Sequence, residues 1–461
     1  MKGKMIKKSL VMLLALSTVL NVSCAQMASK PKQSFAEAHD AFQTTLVREE
    51  NDDEPIPAPP EGAFELVKYS SKVGDLAAYV SSDPRDGQKH PMIIWVVGGW
   101  GNGIDDFPWC YPEWDNDQTG SAFWQAGVLT MYPSFRGGSG NPGNYEALFG
   151  EVDDIASAYE YAASLPYVDP NRIYLGGHST GATRALLAAE YTDKFRAVFC
   201  FGAVDEVKYH NSSQFTFDTN NKEEFTMRSP IHWLDNVKTP TFLIEGSDGN
   251  ASNLKKIERT SKNENIHCYV IEDADHFSVL APLTRVVAQK ILKDTGTEVA
   301  ISIAQDELDE AMKQEPSIPL PVMQQYTMED LGLSFSYPYL WDISGEGTIS
   351  LSLSSRYEGD NIWDMSTLYV DAYIAEESDL EILSDSFSSE GYEITNKTIS
   401  GFPAIEAVGA MENDNGSIFN NTFVAVQKED ILVTFDFFIH EDFGNDADEL
   451  FRTIIDSIAI E

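Results

Sequence analysis

Short apolar runs alternate with longer amphipathic segments over the first two-thirds of the chain. The apolar runs predict buried strands at residues 92–97, 127–133 and 197–201, and helical spacing between them is clearest over residues 150–164. Parallel neighbours in a sheet need a crossover connection, which is usually a helix. The alternation therefore predicts an α/β domain with a mostly parallel sheet covered by helices on both faces.

The pattern changes beyond residue 313. Prolines interrupt the chain at Pro316, Pro319 and Pro321, and further strands are predicted at 333–337, 349–353, 368–374, 422–426 and 431–438. Only two helical segments accompany these strands, at 378–389 and 446–458. We therefore expect an α/β domain over residues 62–313, a linker over 314–325 and a smaller α+β domain over 326–461.

The first 25 residues have the pattern of an export signal. Lysines precede an apolar run at residues 10–20, which ends in the small residues Ser23, Cys24 and Ala25. The run is shorter than the about 20 residues that a membrane-spanning helix needs. Ser23-Cys24 resembles the end of a bacterial lipobox, which predicts an exported envelope protein anchored by a lipid on Cys24. Cleavage after Ala25 by ordinary signal peptidase is the alternative.

Residues 26–61 are polar and contain an acidic run followed by four prolines. This composition predicts a disordered tether between the signal and the α/β domain. The segment is too short to build a large domain such as a β-propeller.

The charge and the cysteines narrow the possible partners. The chain of 461 residues carries 73 acidic and 32 basic side chains, a formal charge of −41. Such a charge repels phosphate backbones, so we do not expect a nucleic-acid partner. The cysteines lack metal-ligand spacing, and neither a metal nor another cofactor is expected. Cys200 and Cys268 lie in strand-like apolar runs, which predicts buried free thiols.

The most informative local pattern lies between a predicted strand and a predicted helix. It reads Gly177-His178-Ser179-Thr180-Gly181 and continues as an alanine-rich apolar run. Gly-x-Ser-x-Gly in this setting is typical of a nucleophile elbow. The elbow would hold Ser179 in a strained backbone conformation above a helix N-terminus, with its hydroxyl exposed. A glycine turn capped by a serine is the alternative.

A serine hydroxyl becomes a nucleophile only when an imidazole takes its proton and a carboxylate orients that imidazole. In this fold the chain order is serine, acid, histidine. Asp248 follows the predicted strand 241–245, and His276 follows the predicted strand 267–271. We therefore predict Asp248 as the acid and His276 as the base, with turn capping as the alternative for Asp248. Asp273 and Asp275 are rival acids, but they lie close to His276 in sequence.

A glycine pair follows the predicted strand 92–97, where backbone can approach a ligand closely. Folds of this kind place there a loop that donates an N–H group to an oxyanion. We expect the oxyanion hole to consist of the backbone N–H groups of Thr180, Gly99 and Trp100.

Several sequence words around these residues resemble the catalytic domain of the prolyl oligopeptidase family and its dienelactone-hydrolase-like relatives, over about residues 62–294. Besides the elbow, the words are Phe135-Arg136-Gly137-Gly138, Phe149-Gly150-Glu151-Val152-Asp153-Asp154, Leu165-Pro166-Tyr167-Val168-Asp169-Pro170-Asn171-Arg172-Ile173, Ser229-Pro230-Ile231 and Asp275-His276-Phe277. The resemblance implies an α/β-hydrolase fold with Ser179, Asp248 and His276 as its triad. The chain departs from the family at Val97, where prolyl oligopeptidases have a tyrosine that helps hold the oxyanion. It departs again at Asp248, which follows Gly246 one residue sooner than usual.

The C-terminal domain more weakly resembles PsbP-like domains. The matching words are Leu333-Ser334-Phe335-Ser336-Tyr337-Pro338-Tyr339-Leu340-Trp341 and Gly401-Phe402-Pro403-Ala404. We interpret this domain as a binding or packing module.

The sequence thus predicts an exported serine hydrolase that cleaves ester or amide bonds through an acyl-enzyme on Ser179, with short peptides or small acyl compounds as substrates. A carboxylesterase and a lapsed hydrolase that serves as a binding protein are the alternatives. Without a propeller, the site is expected to be open or covered only by the local loops 101–120 and 205–228. Aromatic side chains of the first loop, Trp109, Tyr111 and Trp114, could stack on an acyl group, and simple packing of a long loop explains them equally well.

Overall fold

The computed structural model describes residues 33–109, 116–314, 322–339, 341–345, 350–355, 366–374, 379–412, 418–440 and 444–460. The predicted signal with Cys24, and also Cys110, Tyr111 and Trp114, lie outside the described residues. The chain divides into two units, Met1–Gln43 and Thr44–Glu461. None of the helices in the described ranges has the length and apolar character needed to cross a membrane.

The described part of the first unit contains one helix, α1 (Phe35–Ala41). A capping box begins it, because the Ser34 hydroxyl accepts the Glu37 N–H group while the Glu37 carboxylate accepts the Ser34 N–H group. This helix lies inside the segment that was expected to be a disordered tether.

The hydrolase domain is built on an eight-stranded sheet in the order β1-β2-β4-β3-β5-β6-β7-β8. Its strands are β1 (Phe64–Ser71), β2 (Gly74–Ser81), β3 (His90–Val96), β4 (Leu129–Pro133), β5 (Val168–His178), β6 (Val198–Phe201), β7 (Thr241–Gly246) and β8 (Ile266–Ile271). β2 pairs antiparallel with β1 and β4, and the other neighbours run parallel. The predicted fold class, an α/β-hydrolase with a mostly parallel sheet, is confirmed.

Helices cover this sheet. They are α2 (Ser121–Gln125), α3 (Glu151–Ser164), α4 (Thr180–Tyr191), α5 (Lys222–Met227), α6 (Ala251–Thr260), α7 (Leu280–Lys293) and α8 (Gln305–Ala311). On one face, Trp95 and Phe199 pack in a buried cluster with Phe123 of α2 and Val287 of α7. Because strand side chains alternate between the two faces, the other face packs against α3 and α4, which also contact each other.

The expectation of a disordered tether is also corrected for residues 44–61, which are bound to the hydrolase domain. Leu46 forms an antiparallel bridge with Phe217. The Thr45 N–H group donates to the Glu224 carboxylate over 2.7 Å, and the Asp52 N–H group donates to the Gly137 carbonyl over 2.8 Å. The polar backbone of the segment is therefore paired with loops of the domain, an arrangement that composition does not reveal.

The C-terminal part is a separate domain with antiparallel sheets, which agrees with the predicted α+β class. A three-stranded sheet, in the order β18-β10-β9, consists of β9 (Met323–Met328), β10 (Leu333–Pro338) and β18 (Ala459–Ile460). A seven-stranded sheet, in the order β11-β12-β13-β17-β16-β15-β14, consists of β11 (Trp341–Ser344), β12 (Ser350–Ser355), β13 (Ser366–Ile374), β14 (Glu393–Ile399), β15 (Phe402–Glu412), β16 (Ile418–Lys428) and β17 (Ile431–His440).

Two helices, α9 (Asp379–Ser389) and α10 (Gly444–Asp456), accompany these sheets close to the predicted positions. The sequence pattern missed β9, β11, β14, β15 and β18. Because β9 begins at Met323, the domain starts before the predicted boundary at residue 326. The resemblance to PsbP-like domains stays a prediction.

Candidate active site

Ser179 alone makes the turn between β5 and α4. Its backbone has φ 56° and ψ −117°, a strained conformation for a residue with a side chain. A Cβ atom added at Gly177 or Gly181 would lie 2.7 Å or 2.1 Å from the Val96 carbonyl oxygen of β3. Both glycines are therefore required for the elbow to pack against β3. The turn has the geometry that the sequence pattern predicted.

The carboxylate that contacts His276 belongs to Glu245, not to Asp248. His276 Nδ1 lies 2.9 Å from Glu245 Oε2, and the Glu245 side chain is completely buried, while the His276 side chain is 18% exposed. A carboxylate only accepts hydrogen bonds, so Nδ1 carries the proton and Nε2 is left to accept one. The other oxygen, Glu245 Oε1, accepts the Gly246 N–H group over 2.8 Å.

Asp248 is exposed, and its carboxylate accepts a hydrogen bond from the Ser247 hydroxyl over 3.4 Å. The assignment of Asp248 to the base is therefore corrected by the geometry, because β7 continues to Gly246 and directs the Glu245 side chain toward the loop after β8. Asp275 instead accepts the N–H groups of Phe277 and Ser278, both over 2.8 Å, and these bonds lower the pKa of its carboxyl group. It is a turn-capping residue.

Two glycines make room for the pair of Glu245 and His276. A Cβ atom at Gly202 would lie 2.3 Å from His276 Cε1 and 2.9 Å from Glu245 Oε2. A Cβ atom at Gly249 would lie 2.5 Å from Glu245 Oε1. The sequence offered one sign of this arrangement, because Glu245 is a carboxylate at the end of an otherwise apolar buried strand, and buried carboxylates need a partner.

The nucleophile and the base share one neighbourhood at the carboxyl ends of the strands. The Ser179 N–H group donates to the Phe201 carbonyl over 2.7 Å, and Gly202, the next residue, lies against the His276 ring. In the described part of the chain the Ser179 hydroxyl makes no hydrogen bond. Bonds between catalytic groups commonly tighten only when substrate binds.

The three predicted oxyanion residues lie together next to the elbow. The Thr180 hydroxyl donates to the Gly99 carbonyl, which ties the N-terminus of α4 to the loop after β3. Among the described residues, the N–H groups of Thr180, Gly99 and Trp100 have no hydrogen-bond acceptor. Gly99 has φ +87°, a conformation that favours glycine. The loop thus presents free backbone donors close to Ser179.

His178 is a buried neighbour of the base. Its ring lies 4.5 Å from the His276 ring, centroid to centroid, and its Nε2–H group donates to the His276 carbonyl over 3.1 Å. Burial, and then the neighbouring His276, lower the pKa of His178 to about 3. His178 is therefore neutral at physiological pH, and it holds the backbone of His276 without adding a charge beside it.

The aromatic residues of the two predicted covering loops have different roles. Trp109 is 2% exposed and packs against Phe64 and Tyr79 in the core, so of the two alternatives for this residue, packing holds and stacking on a substrate does not. Segment 205–228 does approach the site, because Trp100 contacts His210 at 4.9 Å and Phe215 at 6.4 Å between ring centroids. Neither Tyr111 nor Trp114 belongs to the described residues.

The cysteines take no part in this site. Cys200 is a buried free thiol and Cys268 is a half-buried one. Burial raises the pKa of both thiols, that of Cys268 to about 12. Within the described residues of Thr44–Glu461, no three histidine, cysteine or acidic side chains of that unit converge as metal ligands would.

A comparison with protein families finds one match within this domain. Residues 114–282 match the prolyl oligopeptidase family. No curated relative matches the sequence.

Three of the solved structures that the chain matches are of hydrolases. A puromycin-hydrolyzing peptidase of Mycobacterium tuberculosis has 17% identity and a TM-score of 0.42, over 50% of this chain and 39% of that one. An acylaminoacyl peptidase of Pyrococcus horikoshii has 16% identity and a TM-score of 0.42, over 53% of this chain and 44% of that one. An esterase of Pyrococcus furiosus has 14% identity and a TM-score of 0.41, over 53% of this chain and 96% of that one. The chain spans less than half the length of the two peptidases. Residues 114–282, which contain Ser179, Glu245 and His276, are thus similar to the hydrolase domain of the prolyl oligopeptidase family.

Proposed function

We propose that this chain is a serine hydrolase that cleaves ester or amide bonds through an acyl-enzyme on Ser179. The observation that supports the proposal best is the buried Glu245 hydrogen-bonded to His276 Nδ1, in the same neighbourhood as a strained serine elbow. A carboxylate, an imidazole and a serine in this relation are the parts of a catalytic triad. The retained pair also favours an active hydrolase over a lapsed one that only binds a partner.

The reaction follows from the positions of these groups. His276 Nε2 takes the proton of the Ser179 hydroxyl as Oγ bonds to the substrate carbonyl carbon, and the carbonyl oxygen becomes an oxyanion. The free N–H groups of Thr180, Gly99 and Trp100 stabilise that charge. His276 then gives its proton to the leaving group as the old bond breaks, and water releases the acyl group by the reverse sequence. Glu245 stabilises the imidazolium that forms in each half.

For the substrate class we propose short peptides or small acyl compounds. Segment 205–228 meets Trp100 directly and reaches the site as a local loop. A carboxylesterase is the second candidate, because a small ester needs only the nucleophile, the oxyanion donors and a small pocket.

Labelling with a fluorophosphonate probe tests the proposal. We expect the wild-type protein to be labelled and Ser179→Ala not to be labelled, with equal secondary structure by circular dichroism. Ser164→Ala is the matched control, because Ser164 is exposed at the far end of α3. A wild-type protein that resists the probe while a known serine hydrolase reacts would contradict the proposal and favour the binding protein.

We also propose that the protein is exported and anchored through a lipid on Cys24, on the sequence pattern of residues 1–25. Cys24→Ser should release a soluble protein, measured by detergent-phase partitioning in cells. Unchanged partitioning would contradict the anchor.

A further inference from the structure

A cavity of about 310 Å³ opens beside the oxyanion loop. Its described lining includes the backbones of Gly98 and Gly99, the apolar side chains of Val97, Ile104 and Phe107, and the polar side chains of Asp105 and Gln118. Trp95 and Tyr132 also border it but are buried. We call it the β3–β4 cavity, because the residues at the ends of these two strands form its floor. A Cβ atom added at Gly98 would lie 3.3 Å from Ser179 Cβ, so the cavity begins at the nucleophile.

The chemistry of the walls defines what the β3–β4 cavity can hold. Trp95 is completely buried, so the apolar surface that a ligand can reach comes from Val97, Ile104 and Phe107. Phe107 is 37% exposed, enough to remain in contact with solvent. Asp105 is the one charged side chain among the described lining residues, and it disfavours an anion. An uncharged apolar group about the size of a phenyl ring fits these walls.

The cavity approaches the base through His178. A Cβ atom added at Gly98, which lines the cavity, would lie 3.2 Å from His178 Nδ1, and the His178 ring lies 4.5 Å from the His276 ring. The helix after His276 also packs near the cavity. The Trp95 ring packs against Phe123 of α2 at 5.3 Å, and α2 contacts α7, the helix that follows His276. The cluster of Trp100, His210 and Phe215 takes the other flank, because the Trp100 ring contacts Tyr145 at 6.4 Å, just before α3. The site therefore offers two different apolar surroundings, the β3–β4 cavity and the Trp100 cluster, for the acyl group and the leaving group of a substrate.

The direction of proton transfer decides which group goes where. When the carbonyl–leaving-group bond breaks, the leaving atom takes the bonding electron pair and the proton of His276 Nε2. That atom must lie within hydrogen-bond reach of His276, and hence on the side of the site where Gly98 brings the cavity close to His178 and His276. We infer that the β3–β4 cavity binds the leaving group, an uncharged aryl or similar apolar alcohol or amine, and that the acyl group faces Trp100. This inference rests on the proposed function.

Two isomeric esters separate the two positions. Benzyl acetate carries its phenyl ring on the leaving group, and methyl phenylacetate carries it on the acyl group, while methyl acetate is the reference for both. Benzyl acetate and methyl acetate also give the same acetyl-enzyme, so a difference in kcat/KM between them arises in acylation.

Gly101→Leu is the variant designed to obstruct the cavity. Gly101 lines the cavity, and a Cβ atom there would meet no atom within 4 Å. We expect the ratio of kcat/KM for benzyl acetate to that for methyl acetate to fall on the order of 10-fold or more. The ratio for methyl phenylacetate to methyl acetate should stay within about 2-fold. Gly296→Leu is the matched control, since Gly296 is exposed and remote from the cavity, and should change neither ratio.

Phe107→Ala tests the same wall without adding volume, and it should lower the benzyl acetate ratio even if Gly101→Leu fails to fold. A loss confined to methyl phenylacetate would place the acyl group in the cavity and overturn the inference. Unchanged ratios in both variants would overturn it as well. If either of these outcomes is found while the wild type reacts with the fluorophosphonate probe, the inference about the cavity is wrong but the proposed function is still supported. If the wild type neither reacts with the probe nor hydrolyses any ester, both fall.

Discussion

Glu245→Gln is the substitution that most directly tests the geometry of the site. Glu245 Oε1 accepts the Gly246 N–H group, and Oε2 accepts the proton of His276 Nδ1. In the variant, the amide oxygen should keep the bond from Gly246, because an amide NH₂ turned toward that N–H group would leave a buried donor unpaired, at about 1–3 kcal/mol. The amide NH₂ then faces His276 Nδ1 and donates to it. The proton moves to Nε2, the atom that has to accept the Ser179 proton.

The size of the effect follows from the charge that Glu245 stabilises. A carboxylate 2.9 Å from an imidazolium nitrogen attracts it by roughly 6 kcal/mol at an effective dielectric constant of about 20. Since about 1.4 kcal/mol corresponds to tenfold in rate, we expect Glu245→Gln to lower kcat by about 10⁴-fold. Loss of the acid from a serine-protease triad has a similar cost, about 10⁴-fold.

The assay is steady-state hydrolysis of methyl acetate, together with the rate of fluorophosphonate labelling, with thermal unfolding as a check that the variant folds. Asp248→Asn is the matched control, since Asp248 is exposed, and its kcat should stay within about 2-fold of wild type. The sequence pattern alone predicts the opposite, a larger loss of kcat in Asp248→Asn than in Glu245→Gln. Activity of Glu245→Gln within tenfold of wild type, or an equal loss in Asp248→Asn, would refute the assignment of the acid.

Three further predictions follow from the surrounding contacts. Thr180→Val removes the hydroxyl that ties α4 to Gly99 and should lower kcat about 10-fold, whereas Thr180→Ser should retain activity. His178 is neutral when folded, with a pKa of about 3, whereas the unfolded chain takes up its proton below about 6.5. Acidification from pH 6.5 toward 3 should therefore lower the free energy of unfolding, and His178→Gln should reduce this slope by up to about 1.4 kcal/mol per pH unit in urea titrations. Full burial raises the pKa of Glu190 well above its usual range, and its carboxyl group has no partner among the described residues. The folded state keeps the Glu190 proton while the unfolded chain releases it as pH rises, so Glu190→Gln should raise Tm at pH 8 and not at pH 4, and equal Tm values at pH 8 would contradict this.

Patterns that act over a few residues were readable from the sequence. The alternation of apolar runs and helical spacing indicated the parallel sheet, because burial on both faces leaves a continuous apolar run in each strand. Gly177 and Gly181 indicated the elbow, since the turn excludes a Cβ atom at both positions. His276 was identified because it follows a predicted strand at the edge of the sheet where Ser179 also lies. The structure then shows that His276 lies near Ser179.

The tertiary structure decided the features that depend on contacts between segments far apart in the sequence, first of all the identity of the acid. The partner of His276 is Glu245, and the choice between Glu245 and Asp248 depends on where β7 ends and on the space left by Gly202 and Gly249. Glu245 and Asp248 are three residues apart, yet the Glu245 carboxylate is buried and the Asp248 carboxylate is solvated.

Trp109 and residues 44–61 give the same lesson. The indole of Trp109 is in the core because Phe64 and Tyr79 pack around it. The polar residues 44–61 are ordered because loops of the hydrolase domain supply backbone partners for them. Composition describes a segment by itself, but the free energy that orders a segment comes from the surface it meets, and that surface exists only once the chain has folded.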